Sequence, residues 1–285
     1  MMKVAVVGHV EWIEFARVDR VPLAGEIVQA SETWEQPGGG GAVAAVQLRK
    51  LAGSVILFTA FGDDQRGHLA RSELESLGVQ VAARFRTQPQ RRGFTFLDAR
   101  GERTITVMGD RMGPRGSDSL PWDELNWADA VYFTAGDDEA LRAARRARLL
   151  VATSRVLPQL VRARVPLDVV VGSGRDPAER YRPTLLDPPP RLVVTTMGRR
   201  GGSFETAGGR AGRYRAAPVP GLMADSYGCG DSFAAGLTYA LGAGLEIEEA
   251  LEFAARCGAA CLTGRGPFAG QLTLHGPKAG RQRAG

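Results

Sequence analysis

The sequence predicts an α/β fold, with a mostly parallel central sheet flanked by helices and a small separate β-sheet. Short β-branched runs alternate with helical segments along most of the chain, which is typical of a parallel sheet with right-handed crossovers. Two stretches, 22–34 and 94–108, alternate in hydrophobicity without an intervening helix, and they predict the separate sheet. Glycine-rich or acidic turns follow several strands. Because parallel strands end at one edge of a sheet, these turns predict a ligand site there.

The individual elements follow from β-branched runs, glycine stops and helix caps. Strands are predicted at 3–7, 55–61, 130–134, 149–153, 168–171 and 192–196. One helix is predicted to begin at the glycine run 38–41 and to end at 53, and another lies within 62–78. Further helices are predicted at 138–148, 158–164, 176–181 and 246–263, and one begins at 231.

The composition is that of a globular protein, with 44% hydrophobic and 24% charged residues in 285. The net charge of +5 is spread along the chain, which fits small anionic substrates and gives no indication of a nucleic-acid partner. Cys229, Cys257 and Cys261 lack the spacing of a disulfide or metal set. No apolar stretch is long enough to span a membrane. We therefore expect a cytoplasmic protein without a membrane partner.

Glu11 and Glu14 follow the first strand and have two interpretations. In one, they lie just beyond the strand, where open α/β sheets bind ligands. In the other, the strand continues and they occupy its solvent-facing side. The sequence supports both equally.

The segment Asp225–Leu237 reads D-S-Y-G-C-G-D-S-F-A-A-G-L. Its small-residue turn, Gly228–Gly230, leads into an amphipathic helix with Asp231 in the first turn. A glycine turn and a helix N-terminus direct N–H groups at an anion such as phosphate. Asp231 would repel that phosphate, which indicates a separate task such as accepting a proton. The alternative is an ordinary Asp helix cap.

Several reaction classes lack their motifs. There is no P-loop, no G-x-G-x-x-G after the first strand and no G-x-S-x-G, and the three histidines are far apart in sequence. A phosphate-handling site with carboxylates remains, and it suits phosphoryl transfer, which needs alignment, charge neutralisation and a proton acceptor.

The segment around Asp231 resembles the D-T-x-G-A-G-D-x-F-x-x-G signature of the ribokinase-like carbohydrate kinases, the phosphofructokinase B family. Other motifs of that family occur along the chain in the order that is typical of the family: P-x-x-G-E at 22–26, the glycine run at 38–41, G-D-D at 62–64, T-M-G-R-R-G at 196–201 and G-R-G at 264–266. The resemblance implies a three-layer ribokinase-like fold in a single domain, 1–285. It also implies a lid of β insertions near 20–36 and 92–110, which in this family often mediates homodimers. A flexible tail is expected at 277–285.

The resemblance further implies ATP-dependent phosphoryl transfer to a hydroxyl of a sugar, nucleoside or related small polyol. Asp231 would be the general base, beside an anion hole formed by Gly228, Cys229 and Gly230. Asp225 would bind a monovalent cation such as K⁺, and Asp176 would support Mg²⁺. The positions matching the nucleotide site are Thr196, Gly198, Gly201 and Gly266. Those expected at the acceptor are Glu11, Gly39, Gly40 and Val43.

Three positions depart from the family pattern. Val43 replaces an Asn and Ile13 an Asp that contact the sugar, and Ser173 begins the N-x-x-E segment whose acid is here Asp176. Glu11, or Glu14 if the chain bulges, would replace the lost Asp. Since lost hydrogen bonds weaken binding, these changes argue against ribose as the substrate. They also leave a second hypothesis, a non-catalytic nucleotide- or sugar-binding sensor or partner subunit. The retained acids Asp225 and Asp231 favour the kinase.

Overall fold

A computed structural model describes residues 2–274, so the tail predicted at 277–285 lies outside the described residues. Short apolar runs form the strands, and small-residue or amphipathic segments form the helices. The strands are β1 (Val4–Val7), β2 (Glu11–Arg17), β3 (Glu32–Gly38), β4 (Ile56–Gly62), β5 (Gln80–Arg86), β6 (Arg92–Leu97), β7 (Arg103–Met108), β8 (Ala130–Phe133), β9 (Leu150–Thr153), β10 (Val169–Ser173), β11 (Leu192–Thr196), β12 (Gly202–Thr206) and β13 (Ala211–Tyr214). The helices are α1 (Gly39–Ala52), α2 (Gln65–Ser76), α3 (Asp138–Ala144), α4 (Leu157–Ala163), α5 (Cys229–Gly242), α6 (Ile247–Cys261) and α7 (Gly266–Ala269).

The main sheet has nine strands in the order β13-β12-β11-β10-β9-β8-β1-β4-β5. The strands from β5 to β11 in this order run parallel, and β12 and β13 add an antiparallel edge. The carboxyl ends of the parallel strands therefore meet at one edge, as the sequence predicts.

Helices cover both faces of this sheet, and β1 shows how its side chains divide. Val4 and Val6 pack into one apolar cluster with residues of α1, α5 and α6, whereas Ala5 and Val7 pack into a second with α3 and α4. Successive strand residues point to opposite faces, so a wholly buried strand needs apolar residues throughout. The predicted α/β fold with a mostly parallel sheet flanked by helices is confirmed.

A separate four-stranded sheet forms the lid, with the order β3-β2-β6-β7. The second predicted insertion, 92–110, contains the β6–β7 hairpin as expected. The first prediction is wrong over 22–31, which contains no strand. There Glu26 accepts hydrogen bonds from Arg20 and the Leu23 N–H, and Ile27 is fully exposed. The lid strands are instead β2 and β3, which pair antiparallel and lie on either side of this loop.

Other boundaries also differ from the predictions. Strands β5, β12 and β13 were not predicted; each lies at or next to a sheet edge, where the apolar pattern is weak. The helix predicted at 138–148 ends at Ala144, and the one predicted at 176–181 is only a 3-10 turn, Pro177–Glu179. Within residues 2–274, none of the helices has the length and apolar character needed to cross a membrane.

Candidate active site

Asp231 lies in the first turn of α5, directly after the predicted glycine turn. Gly228 precedes the helix with φ 81°, a left-handed conformation that favours glycine and turns the chain sharply into α5. The first N–H groups of a helix have no intrahelical acceptor. Beside them, a Cβ added to Gly230 would meet nothing within 4 Å. The turn therefore presents free N–H donors to open space, which is the geometry of an anion site.

The glycine run at the start of α1 faces the same carboxylate. A Cβ added to Gly40 would lie 2.9 Å from Oδ1 of Asp231, so only glycine fits there without displacing the carboxylate. The Gly39 N–H donates to the Tyr227 hydroxyl at 3.1 Å. The N-termini of α1 and α5 thus converge on Asp231, and their dipoles favour negative charge there.

Glu11 lies beyond the end of β1, as in the first interpretation, and it is the first residue of β2 in the separate sheet; it does not lie on a solvent-facing continuation of β1. Its side chain is buried, and its Oε1 accepts a 2.6 Å hydrogen bond from Nε of Arg91. A Cβ on Gly39 would lie 3.2 Å from Cγ of Glu11, which places this carboxylate beside the glycine run. Glu14 points to the other face of β2 and contacts Arg92, so Glu11 is the acid directed at the site.

His9 lies between these groups and is neutral. Burial, together with the guanidinium groups of Arg111, Arg91 and Arg155, lowers the pKa of His9 well below its ordinary value. Its Nε2 accepts a 3.4 Å hydrogen bond from the Gly40 N–H, which leaves the ring proton on Nδ1, 3.5 Å from Oγ1 of Thr134. The ring therefore positions the start of α1 and adds no charge.

Burial raises the pKa of Asp231, and the guanidinium groups of Arg155, Arg103 and Arg111 oppose this shift. Asp231 as a whole residue is of intermediate exposure. A carboxylate with a raised pKa that a reactant can still reach is a suitable proton acceptor. The three arginines come from β7, the segment after β7 and the turn after β9, positions with no common sequence pattern. Sequence reasoning missed all three.

A fourth missed residue is Glu179, a buried carboxylate. It accepts 2.6 Å and 2.8 Å hydrogen bonds from Nε of Arg155 and the Ser173 N–H. Asp176, the predicted magnesium-associated acid, is exposed and caps the 3-10 turn through the Ala178 N–H. The only signal for Glu179 in the sequence was its place, an acidic residue three positions beyond Asp176.

Val43 and Ile13, the two apolar residues at positions that are polar in the family pattern, have packing roles. Val43 is fully buried on α1, and its Cγ1 would lie 3.0 Å from a Cβ added to Gly228, so it supports the anion turn from beneath. Ile13 is fully buried on β2, and it fills the space next to Gly38 and Gly93. Val43 therefore contacts the anion turn, although its side chain offers no hydrogen bond.

Asp225 is fully buried just before the anion turn. Its two oxygens accept hydrogen bonds from the N–H groups of Tyr227, at 2.7 Å, and Gly266, at 2.5 Å. These bonds fasten the turn to the start of α7. Burial raises the pKa of Asp225, and the two N–H donors counteract this. Each oxygen keeps a further lone pair, so the monovalent-cation role of Asp225 stays a prediction.

The predicted nucleotide positions lie at the end of β11. Thr196 is its last residue, and Gly198 and Gly201 flank a one-turn 3-10 helix with φ of 58° and 75°. The Thr196 hydroxyl donates to the Gly172 carbonyl of β10 at 3.3 Å. Gly266 instead contacts Asp225 and Gln36, so the structure groups it with the anion turn.

The lid docks on the segment that leads into the anion turn. Arg17 of β2 donates to the Ala224 carbonyl at 3.3 Å, and Arg103 of β7 donates to the Ser226 carbonyl. The Ser226 N–H donates a 3.0 Å hydrogen bond to the Gly101 carbonyl at the β6–β7 bend. The lid and the turn therefore share one hydrogen-bonded interface.

A parallel α/β sheet, a four-stranded lid and an anion turn with an adjacent carboxylate define a phosphotransferase of the sugar-kinase type. The comparison with protein families agrees: residues 1–169 and 174–273 match the pfkB family carbohydrate kinases, and the chain belongs to that family. The kinase prediction is confirmed at this level.

Relatives of known name and structure support this classification. The chain is 28% identical over 276 residues to a protein of Halopiger xanaduensis named ATP-dependent ribose-1-phosphate kinase, a match that covers 91% of each chain. The fold of this chain is similar to that of ribokinase from Thermotoga maritima. The TM-score is 0.76 at 19% identity, over 96% of this chain and 97% of the other. Arabidopsis thaliana ribokinase, solved with ribose and ATP, gives a TM-score of 0.74 at 19% identity over 96% of each chain. The ribokinase-like fold is therefore confirmed.

Proposed function

We propose that this chain transfers the γ-phosphoryl group of ATP to a hydroxyl of a sugar, nucleoside or related small polyol. The observation that carries this proposal is the position of Asp231. Its carboxylate lies within the first turn of α5, beside free N–H donors, and next to Gly40 at the start of α1. One side of Asp231 thus suits the transferred phosphoryl group, and the other suits the acceptor.

In this proposal Asp231 takes the proton of the acceptor hydroxyl as that oxygen attacks the γ-phosphorus. The bond from the γ-phosphorus to the β–γ bridging oxygen breaks, and ADP leaves with that electron pair. The N–H groups of Gly228, Cys229, Gly230 and Asp231 stabilise the negative charge on the phosphoryl oxygens. Arg155, whose guanidinium group acts on the Asp231 carboxylate, would neutralise part of this charge. Burial by itself would lower the pKa of Arg155, but the carboxylates of Asp231 and Glu179 outweigh this, so it stays protonated.

Thr196, Gly198 and Gly201 are proposed to hold the nucleotide, with Gly266 as a further candidate. Mg²⁺ prefers carboxylate and phosphate oxygens and is often bound by few protein groups. Residues 2–274 contain no cluster of three or more potential metal ligands, which fits a metal that arrives with ATP. Glu179, or Asp176 at the position matched by sequence, would support it. A monovalent cation such as K⁺ would bind at Asp225, whose two oxygens each accept one backbone N–H bond and keep a further lone pair.

Glu11, Gly39, Gly40 and Val43 surround the proposed acceptor position. Since Val43 and Ile13 replace polar groups, we expect ribose itself to be a poor acceptor. The name of the Halopiger relative adds ribose 1-phosphate to the acceptors that should be tried. The same two replacements motivate the second candidate function, a sensor that binds a nucleotide or sugar without transferring phosphate.

The test is ATP turnover with a panel of sugars, nucleosides and sugar phosphates. Asp231→Asn should lower kcat by about 10²- to 10⁴-fold, because it removes the proton acceptor and keeps the side-chain shape. Asp123→Asn is the matched control, since the Asp123 side chain is 94% exposed. Equal turnover by wild type and Asp231→Asn would refute the role of Asp231. Tight ligand binding by calorimetry without transfer to any acceptor would establish the sensor.

We further propose a cytoplasmic homodimer that pairs through the lid. The free edge strand β7 supports the pairing, because Ile105 and Val107 on it are 38% and 50% exposed. The three free cysteines suit a reducing compartment. A monomer in sedimentation equilibrium would contradict the dimer.

A further inference from the structure

We propose that Cys229 and Cys261 form a redox pair, in which hydrogen peroxide closes a reversible disulfide that disables the anion turn. The disulfide itself is independent of phosphoryl transfer, whereas its effect on the site rests on the proposed function.

Cys229 belongs to the anion turn itself. It is the first residue of α5, at a position where the family signature D-T-x-G-A-G-D has alanine. The residue is half-buried and precedes Gly230, beside which the space is open, since an added Cβ would meet nothing within 4 Å. A small oxidant that enters the proposed phosphate position can therefore reach the Cys229 thiol.

Cys261 is the last residue of α6 and faces the turn from its protein side. Its thiol donates a 3.4 Å hydrogen bond to the carbonyl of Tyr227, two residues before Cys229. Nearly one turn earlier on α6, a Cβ added to Gly258 would lie 3.2 Å from the Cys229 carbonyl oxygen, so the two helices meet closely there. The Cys229 and Cys261 thiols are hydrogen-bonded to each other. Two thiols in contact are placed to form a disulfide after a small shift.

The two thiols differ in accessibility and in pKa. Hydrogen bonds from the Cys229 thiol and the Ser232 hydroxyl lower the pKa of Cys261, and burial opposes this shift. The bond to Cys261, together with burial, raises the pKa of Cys229. Cys229 is thus the thiol that an oxidant reaches, and it reacts slowly. Cys261 is fully buried and is suited to attack Cys229 once that residue is oxidised.

The oxidation proceeds in two balanced steps. Peroxide transfers one oxygen atom to the Cys229 sulfur, which yields a sulfenic acid and one water. The Cys261 sulfur then attacks that sulfur, the S–O bond breaks, and the leaving hydroxide takes the thiol proton to form a second water. The two thiols lose two electrons and two protons in total, and peroxide is reduced to water. A thiol reductant reverses the bond, as suits a compartment where lasting disulfides are rare.

The disulfide would move the anion turn. A covalent bond holds the two sulfur atoms closer than a hydrogen bond does, so Cys229 is drawn toward α6. Gly228 and Gly230 flank it and allow the backbone to change. The N–H groups of the turn then leave the position of the phosphoryl oxygens. Losing one such donor lowers kcat by about 10²- to 10³-fold.

Peroxide treatment followed by peptide mapping with mass spectrometry tests the disulfide directly. Wild type should give a cross-linked peptide pair that contains Cys229, and Cys261→Ser should give none. Cys257→Ser is the matched control and should cross-link as wild type does, because Cys257 lies on the same helix with its Sγ packed toward Gly236 of α5. A cross-link in Cys261→Ser, or none in wild type under excess peroxide, would overturn the inference.

Kinetics and calorimetry with ATP measure the effect on the site. Oxidised wild type should lose kcat by about 10²-fold and recover it with dithiothreitol. Cys261→Ser should keep its activity in peroxide, and so should Cys229→Ala relative to its own untreated rate. Unchanged turnover and ATP affinity in the cross-linked protein would refute the effect on the turn. If no acceptor is phosphorylated even by the reduced protein, the proposed function fails, and weaker ATP binding after oxidation still identifies the switch.

Discussion

Replacing Gly40 with alanine should damage catalysis and leave the fold intact. The new Cβ would lie 2.9 Å from Oδ1 of Asp231, and the next atoms, Cγ of Asp231 and Cε1 of His9, are both at 3.5 Å. Gly40 has no left-handed φ, so an alanine fits its backbone. The single close contact is therefore with the proposed base.

The size of the effect follows from this distance. An ordinary contact begins near 3.4 Å, so the carboxylate has to move by about 0.5 Å. Because a displacement of about 1 Å in an active site can cost roughly 10²-fold in rate, we expect kcat to fall about 10-fold. Alanine also restricts the unfolded chain, which stabilises a protein by about 0.4–1 kcal/mol where its conformation is compatible. The free energy of unfolding should therefore stay within about 1 kcal/mol of wild type.

Steady-state kinetics and urea unfolding measure the two effects separately. Gly208→Ala is the matched control, since its Cβ would have only Thr206 Oγ1 nearby, at 3.9 Å, in the β12–β13 turn. Gly39→Ala should differ in stability: Gly39 has φ 83°, and an alanine there costs about 1–2 kcal/mol. Wild-type kcat in Gly40→Ala would show that Asp231 does not depend on its position beside α1.

Two further predictions follow from the electrostatics and packing of the site. Burial raises the pKa of Asp231, and the base must be deprotonated, so kcat/KM should fall as the pH drops through that raised pKa. Arg155→Gln should move this acid limb to higher pH, because Arg155 stabilises the carboxylate; a pH–rate profile with an unmoved limb would contradict the assignment. Val43→Asn restores the family residue but buries an amide in a fully buried apolar position, and should lower the free energy of unfolding by about 1–3 kcal/mol. Urea titration measures this, and unchanged stability would show that an amide finds a partner there.

The parts of the site that sequence predicted depend on local signals. A glycine turn, a helix start and an acid in its first turn lie within a few residues of one another, and the structure places Asp231 as expected. The strands that were predicted are buried, so their apolar runs are continuous. In each case neighbouring residues determine the conformation.

The parts that sequence missed depend on residues far apart in the chain. Arg111 follows β7 of the four-stranded sheet and Arg155 follows β9 of the main sheet, so the two act on Asp231 from different sheets. Glu179 is buried because a short turn directs its side chain to Arg155. Asp176, three residues earlier, is exposed, so the sequence around it gives no sign of this burial. The alternating residues at 22–31 lacked a partner strand, and alternation alone does not form a sheet.

The packing of Val43 bears on how such a site changes its substrate. Val43 lies at a position where the family pattern has a polar contact, yet it supports the anion turn, so restoring the amide would disturb the turn that we propose stabilises the phosphoryl group. A new acceptor contact therefore has to come from elsewhere. Glu11 of β2, held by Arg91, is the proposed source of such a contact. It lies on a part of the chain that is separate from α5, so under this proposal the acceptor can change while the geometry of Asp231 and its turn is retained.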